Sequence, residues 1–353
     1  MSALREGNRI SNYILEARRG EGSFGEVWRA RHHILREVVA IKVPTDPHYV
    51  RNLQREGITA HGLKHPNIVR VIDLDPYGEP PYLVMEYVEG PSLREAIDAA
   101  GADFPIPAAV AILRGVLQAL SVSHKQGVIH RDIKPGNILI AHPVAELASV
   151  TERAVKVTDF GLGHVGGITA RSMMQSGSAD LNSEEGRIAG TLAYMAPEQR
   201  EGGEVDARSD LYSCGVVLFE MLTGERPAGH EMPSSVRASV PTYLDQVYQC
   251  CYARKERRFA SAEAMLTAMV PRAFDGHVPP AIPAYAGRGA AAPASAGGVC
   301  SSCGAVTQRD DNFCIQCGRQ RVAAVPTCRH CGTYVHANDR FCIRCGKSLT
   351  VLT

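Results

Sequence analysis

The chain has 353 residues, 45% of them apolar and 21% charged, a composition that excludes wholesale disorder and collagen-like repeats and leaves room for two or three domains. Thirty-eight Lys and Arg stand against 37 Asp and Glu, a net charge of +1, so nothing pulls the whole chain towards nucleic acid or an anionic membrane. The balance is uneven, because residues 300–353 carry seven Lys/Arg and three Asp/Glu (+4) and the rest carries −3. Residues 1–6 lack the apolar stretch of a signal peptide. No apolar run approaches the ~20 residues of a membrane helix. A soluble, cytoplasmic protein with no membrane partner is the expectation.

In chain order, residues 13–18 and 25–31 read as strands around a glycine-rich turn, and 38–43 is a third, β-branched run. A helix is predicted over 48–63, with Gly57 weakening its interior by ~1 kcal/mol relative to Ala. Residues 69–74 and 82–87 read as two more strands. Past Gly90 the balance turns to helix. Residues 107–125 space Val110, Leu113, Val116, Leu117 and Leu120 on one face, and 211–222 is a strongly apolar helix. Strands first and helices afterwards predict an α+β, bilobal arrangement, with a β-rich N-lobe and a helical C-lobe over residues 1–272. Residues 273–299 read as a flexible linker, since 276–298 contain eight Ala, five Gly and four Pro and a single charge; such sequence buries too little to offset its ordering entropy. A double repeat fills 300–349. Cys300, Cys303, Cys314 and Cys317 recur 28 residues later as Cys328, Cys331, Cys342 and Cys345.

The glycine-rich turn is Gly20-Glu21-Gly22-Ser23-Phe24-Gly25, followed by Val27. Glycines so spaced let backbone amides approach phosphate oxygens. The same spacing serves dinucleotide sites, or a turn with no ligand. Strands on both sides favour a phosphate-covering loop, because a dinucleotide site needs a helix after it. Next comes Val39-Ala40-Ile41-Lys42. A lysine in an apolar strand is either a solvated edge residue or one held by a buried carboxylate. Glu56, nine residues before His65-Pro66-Asn67, can supply that carboxylate.

His130-Arg131-Asp132-Ile133-Lys134-Pro135-Gly136-Asn137, Asp159-Phe160-Gly161 and Ala196-Pro197-Glu198 then follow in order. With the loop and lysine upstream, residues 9 to about 270 resemble the eukaryotic-like (Hanks-type) serine/threonine protein kinases, and the bacterial soluble forms in particular. The resemblance implies a catalytic set of Asp132, Lys134, Asn137, Asp159, Lys42 and Glu56. Asp132 would orient the substrate hydroxyl and accept its proton, and Lys134 would steady the transferring phosphate. Asn137 and Asp159 would hold Mg²⁺ or Mn²⁺, and Lys42, held by Glu56, would bind the α- and β-phosphates of ATP. Gly20 through Gly25 would cover those phosphates. Met85 would be the gatekeeper, Glu86 and Val88 would offer backbone groups to the adenine edge, and Val27, Ala40 and Leu139 would sandwich the ring. His130 and Phe160 read as packing residues, and Gly161 as freedom for the loop beyond.

Lys134, and Thr191 in Gly190-Thr191, imply protein substrates phosphorylated on serine or threonine. Asp210 resembles the buried brace of the catalytic loop, and Glu198 with Arg258 the ion pair that ties down the activation segment. Arg131 before Asp132 implies regulation by a phosphate in residues 162–195, where Thr169, Ser172, Ser176, Ser178 and Ser183 are candidates; simple flexibility is the alternative.

The cysteine tail resembles the double zinc ribbon family over 300–346. Two Cys-x2-Cys pairs per repeat suit two closed, four-thiolate structural Zn²⁺ sites, with iron as the competing metal. Zinc would supply roughly 10–16 kcal/mol per site to so small a fold. Cys214, Cys250 and Cys251 lack that spacing and read as ordinary thiols, and His330 and His336 as surface residues. A zinc ion with four thiolates carries −2, so two sites cancel the tail's excess, and aromatics are too few for a base-stacking platform. A protein partner or substrate docking is expected there rather than nucleic acid. The competing readings are a catalytically silent pseudokinase scaffold and a nucleic-acid-associated zinc-ribbon factor.

Overall fold

Alternation of apolar and polar residues in the first ninety positions builds a six-stranded antiparallel sheet in the order β1-β2-β3-β4-β6-β5. The strands are β1 (Arg9–Ile10), β2 (Tyr13–Gly22), β3 (Gly25–His32), β4 (Val38–Val43), β5 (Val71–Asp75) and β6 (Tyr82–Glu86). The computed structural model describes residues 4–22, 25–45, 49–160 and 192–270. Ser23, Phe24, Gly161, Thr191, the candidate phosphosites at 169–183, the linker, the eight tail cysteines and His330 and His336 lie outside the described residues.

Directly opposed residues of an antiparallel pair share a face. Trp28 opposes Ile41 and Ala30 opposes Val39, and these four join Ile10, Tyr13, Leu15, Tyr82 and Val84 in a core on one side of the sheet. Val27 opposes Lys42, Arg29 opposes Ala40, and across the next ladder Ala40 opposes Met85 and Lys42 opposes Leu83. That second face is the one turned to the larger core.

Helix α1 (Val50–Gly62) lies on β5 and β6 and buries Leu53, Glu56, Gly57 and Ala60. Its one helix-weakening residue has a packing reason. A Cβ on Gly57 would sit 2.8 Å from Leu74 Cδ2 and 3.1 Å from Leu83 Cδ1, so glycine lets the helix lie close against the strands.

The C-lobe is built on helices α2 (Leu93–Ala100), α3 (Ile106–Lys125), α4 (Pro197–Glu201), α5 (Ala207–Thr223), α6 (Pro233–Val236), α7 (Thr242–Cys251) and α8 (Ala262–Ala268). Every residue of α5 from Ser209 to Thr223 is buried, as an all-round apolar helix in a large core must be. Contrary to the sequence expectation, α3 is long and apolar enough to cross a bilayer by length and composition. Ten of its residues, Ile112, Leu113, Val116 and Leu117 among them, are buried in the C-lobe core instead. A hairpin of two three-residue strands, β7 (Ile138–Ile140) and β8 (Val155–Val157), floors the cleft and is absent from the sequence reading. The three cysteines among the described residues fit that reading: Cys214 and Cys251 are buried and Cys250 half-buried.

Glu198 in α4 and Arg258 form a bidentate pair, with Nη1 donating to Oε1 at 2.6 Å and Nη2 to Oε2 at 3.0 Å. Arg258 is 1% exposed at its side chain, donates Nε–H to Ala253 O at 2.9 Å and lies over the Tyr212 ring. Burial opposes the charge on Glu198, but the hydrogen bonds from Arg258 and Ser209 outweigh it and hold the carboxyl below its ordinary range. Glu198→Ala leaves a buried guanidinium without its carboxylate and is expected to destabilise the kinase unit by about 3–5 kcal/mol. Urea denaturation followed by circular dichroism checks this, and a loss under ~1 kcal/mol would contradict it.

Candidate active site

Strand alternation in β4 puts Lys42 on the sheet face turned to the larger core, where an unpaired ammonium would be costly. It has two carboxylate partners. Lys42 Nζ donates to Glu56 Oε2 at 2.9 Å and Oε1 at 3.1 Å, and to Asp159 Oδ1 at 3.0 Å. The side chains of Lys42 and Glu56 are 6% and 2% exposed, so of the two readings of the strand lysine the buried, paired one holds. Burial alone would lower the lysine; Asp159 and Glu56 reverse that and hold its ammonium above the ordinary range. One cation serves two carboxylates, and they part company. Burial pushes the Glu56 carboxyl up to about 8 against the pull of Lys42, whereas the charge and hydrogen bond of Lys42, aided by Lys134, outweigh burial and hold Asp159 down.

Below the cleft, the buried Asp210 of α5 accepts backbone N–H from His130 at 2.9 Å and from Arg131 at 2.7 Å. It also accepts from His124 Nε2 at 2.8 Å. These bonds fix a loop in which Arg131 has φ 67°. His130 donates Nε2–H to Thr158 O at 2.8 Å, and its ring stands 4.6 Å from that of Phe160, so both pack as expected. Asp132 emerges next. Lys134 Nζ lies 2.9 Å from Asp132 Oδ2, and Asn137 Nδ2 donates to Asp132 O at 2.9 Å and Oδ2 at 3.0 Å. Thr158 N–H donates to Asn137 O at 3.0 Å, which sets the loop beside Asp159, itself at φ 65°.

Both Asn137 amide N–H groups are engaged by Asp132, which leaves its Oδ1 as an acceptor next to the Asp159 carboxylate loop. Carboxylate and amide oxygens are the hard donors that Mg²⁺ or Mn²⁺ takes, so these residues fit a divalent cation. When bound, such a cation neutralises phosphate charge.

Of the remaining sequence-predicted residues, several lie on the inner sheet face or pack against the larger core. Met85 is buried opposite Ala40, while Ala40, Val88 and Leu139 are partly buried against the same core. Val27 lies opposite Lys42 on that face. Glu21 and Gly22 close the β2–β3 hairpin against Glu26 and Gly25. A strand, not a helix, follows the glycine loop, which removes the dinucleotide alternative. Gly25 has φ 152°, and a Cβ there would lie 2.2 Å from Val43 O, so only glycine fits; at Gly20 the space is open.

One feature of the cleft mouth escapes sequence reading. Strand β2 carries two bulges, leaving Glu16 and Arg19 with no residue directly opposed in register. Arg19 and Arg29 both stack on the Tyr87 ring, at 5.7 and 5.5 Å, and Glu16 pairs with Arg29 and Arg31. Simple alternation cannot find a side chain that a bulge has turned to the other face.

The raised Glu56 carboxyl has a measurable consequence. Folded protein holds a proton there that the unfolded chain releases above about 4.5, so this contribution favours the fold at low pH and is lost as pH climbs to about 8. The stability of nucleotide-free wild type relative to Glu56→Gln is expected to fall from about pH 5 to about pH 8. Urea melts of both proteins at the two pH values check it; a relative stability that rises with pH contradicts it.

The protein kinase domain family matches residues 13–272, and the double zinc ribbon family matches 300–346, which holds all eight tail cysteines. Serine/threonine-protein kinase PknB of Mycobacterium tuberculosis is 40% identical over 226 residues, 62% of this chain and 33% of that protein. Serine/threonine-protein kinase PrkC of Bacillus subtilis is 37% identical over 236 residues, 65% of this chain and 33% of that protein. The chain thus spans about a third of the length of these curated relatives. The crystal structure of the Mycobacterium tuberculosis PknI kinase domain is similar with a TM-score of 0.55 at 26% identity, over 76% of this chain and 98% of that one. With a family match across most of its length, laid over the two lobes and the cleft just described, this chain belongs to the protein kinase family and carries a double zinc ribbon after its kinase domain.

Proposed function

We propose that the protein is an ATP-dependent serine/threonine protein kinase that also phosphorylates itself. The observation that carries this is the convergence of Asp132, Lys134 and Asn137 with the Lys42–Glu56–Asp159 cluster on one cleft. Asp132 orients a serine or threonine hydroxyl and takes its proton as the oxygen bonds to the γ-phosphorus. The bond from that phosphorus to the β–γ bridging oxygen breaks, and ADP leaves. Lys134, already beside Asp132, offsets charge on the transferring group, and Lys42 holds the α- and β-phosphates. Backbone groups of Glu86 and Val88 receive the adenine edge, with Val27, Ala40 and Leu139 on its faces. Asn137 and Asp159 hold the divalent cation. A pseudokinase scaffold would need a defect at Lys42, Glu56, Asp132, Asn137 or Asp159, and all five are present.

The kinase domain is taken as 1–272, the linker as 273–299 and the ribbons as 300–349, each ribbon closed by four thiolates around one structural Zn²⁺. Docking of a protein partner or substrate suits the ribbons better than nucleic acid, because metal-bound thiolates cancel their excess positive charge. The protein works in the cytoplasm in this reading.

Asp132→Asn removes the proton acceptor and leaves the nucleotide contacts intact. Native mass spectra after incubation with ATP and Mg²⁺ are expected to gain phosphate-sized steps in wild type only, with ATP still bound by the variant and two zinc masses on both. Equal phosphate gain by Asp132→Asn would refute the role of Asp132; a chain without zinc would refute the metal sites.

A further inference from the structure

We infer that Lys156, which none of the motifs names, is a positioning residue for the adenine cradle, acting through Glu86; this rests on the kinase reading above. Lys156 stands in β8, directly opposite Leu139 of β7, so its side chain shares a face with the residue taken as the adenine floor. Its ammonium reaches out of the C-lobe hairpin to Glu86 Oε1 in the N-lobe strand β6 at 2.7 Å. Glu86 is the residue whose backbone meets the adenine edge, so one ion pair sets the floor of the cradle against its rim.

The carboxylate is held from more than one side. Glu86 Oε1 also accepts Arg70 N–H at 2.8 Å, and Glu86 N–H donates to Arg70 O at 2.9 Å. The segment ending at Arg70 is itself pinned to β8. Val69 N–H donates to Val157 O at 2.9 Å, Val157 N–H donates to Asn67 O at 2.8 Å, and Asn67 Nδ2 donates to Val155 O at 2.8 Å and Glu152 O at 2.6 Å. Glu86 therefore ends a chain of bonds anchored in the hairpin whose last residue, Val157, stands two before Asp159. The side chains of Lys156 and Glu86 are 21% and 24% exposed, enough burial for the pair to be screened less than a surface bridge. Lys156 also stands close enough to His65 to reinforce the lowering of that imidazole by burial.

A pair that fixes rim against floor acts on nucleotide binding, not on the transfer step. The test is titration calorimetry of full-length protein with Mg·ADP, together with steady-state rates at varied ATP, on wild type, Lys156→Met, Lys156→Arg, Glu86→Gln and the Lys156→Met/Glu86→Gln double variant. Lys156→Met is expected to raise Kd for Mg·ADP and KM for ATP about five- to tenfold, with kcat at saturating ATP within about twofold of wild type. Lys156→Arg is expected to restore binding to within about twofold, and the double variant to be no weaker than either single one. Glu86→Gln reaches the same pair from the other strand, so a failure of Lys156→Met to fold leaves the question decidable. Unchanged Kd in both single variants, or a fall in kcat with KM for ATP unmoved, overturns the inference. If wild type itself binds no Mg·ADP, the kinase reading fails and the inference fails with it.

Discussion

The buried carboxylate of Asp210 is the constraint on which the catalytic half of the cleft depends. It is fully buried in α5, where an unsatisfied charge would be severely penalised, and it is satisfied by two backbone N–H groups and an imidazole N–H. Charge-assisted bonds of this kind are roughly twice as strong as neutral ones. They are set against the left-handed conformation of Arg131, a non-glycine residue at φ 67°, which costs of order 1–3 kcal/mol. The exchange is what delivers Asp132 to its place. Without the brace, the loop has no reason to keep that turn, and Lys134 and Asn137, which bond to Asp132, lose their reference.

The upper half of the cleft is organised by shortage rather than saturation. Lys42 has to serve Glu56 from α1 and Asp159 from the loop after β8, so three elements from two lobes converge on one ammonium. The unequal response of the two carboxyls follows from what each faces: at Glu56 burial, reinforced by the neighbouring Asp159 charge, overcomes Lys42, while at Asp159 Lys42 and Lys134 together overcome burial. The group held down is the more exposed of the two, at 24% against 2%. Glycine at position 57 contributes to this electrostatic arrangement, because it lets α1 lie close enough on Leu74 and Leu83 for Glu56 to reach the lysine.

Much of this was legible in the chain because short motifs carried it. The lysine strand, the loop from His130 to Asn137 and the Asp159 turn are contiguous runs whose residue types state their chemistry, and the long strands and helices announced themselves by period. The misses have physical reasons. Strands β7 and β8 are three residues each, too short to show alternation, and exist because each has the other to pair with. Helix α3 is long and apolar enough to cross a bilayer although Arg114 breaks its apolar run, because a core helix in a large lobe is apolar for the same reason a lipid-facing one is. The Tyr87 stack depends on bulges in β2, which shift the face of Arg19 without leaving a compositional mark. Lys156 looks in sequence like any lysine on a short strand, since its partner lies seventy residues away.

What the local motifs could not state is how few elements hold them together. The first two turns of α5 bond to α4, to the loop at His130 and Arg131, and to the segment at Tyr194. Ser209 Oγ donates to Glu198 Oε1 at 2.6 Å, Asp210 holds the loop at His130 and Arg131, and Ser213 Oγ donates to Tyr194 O at 2.8 Å. Gln199 of α4 closes the circuit by donating Nε2–H to Arg131 O at 2.8 Å, and Tyr194 Oη donates to Glu220 Oε2 further along the same helix at 2.6 Å. Two ends are therefore fixed to one core: Asp159 and Phe160 on the His130 side, Tyr194 to Glu198 on the other. Because α5 is buried along its length, neither end can shift without disturbing the core of the lobe.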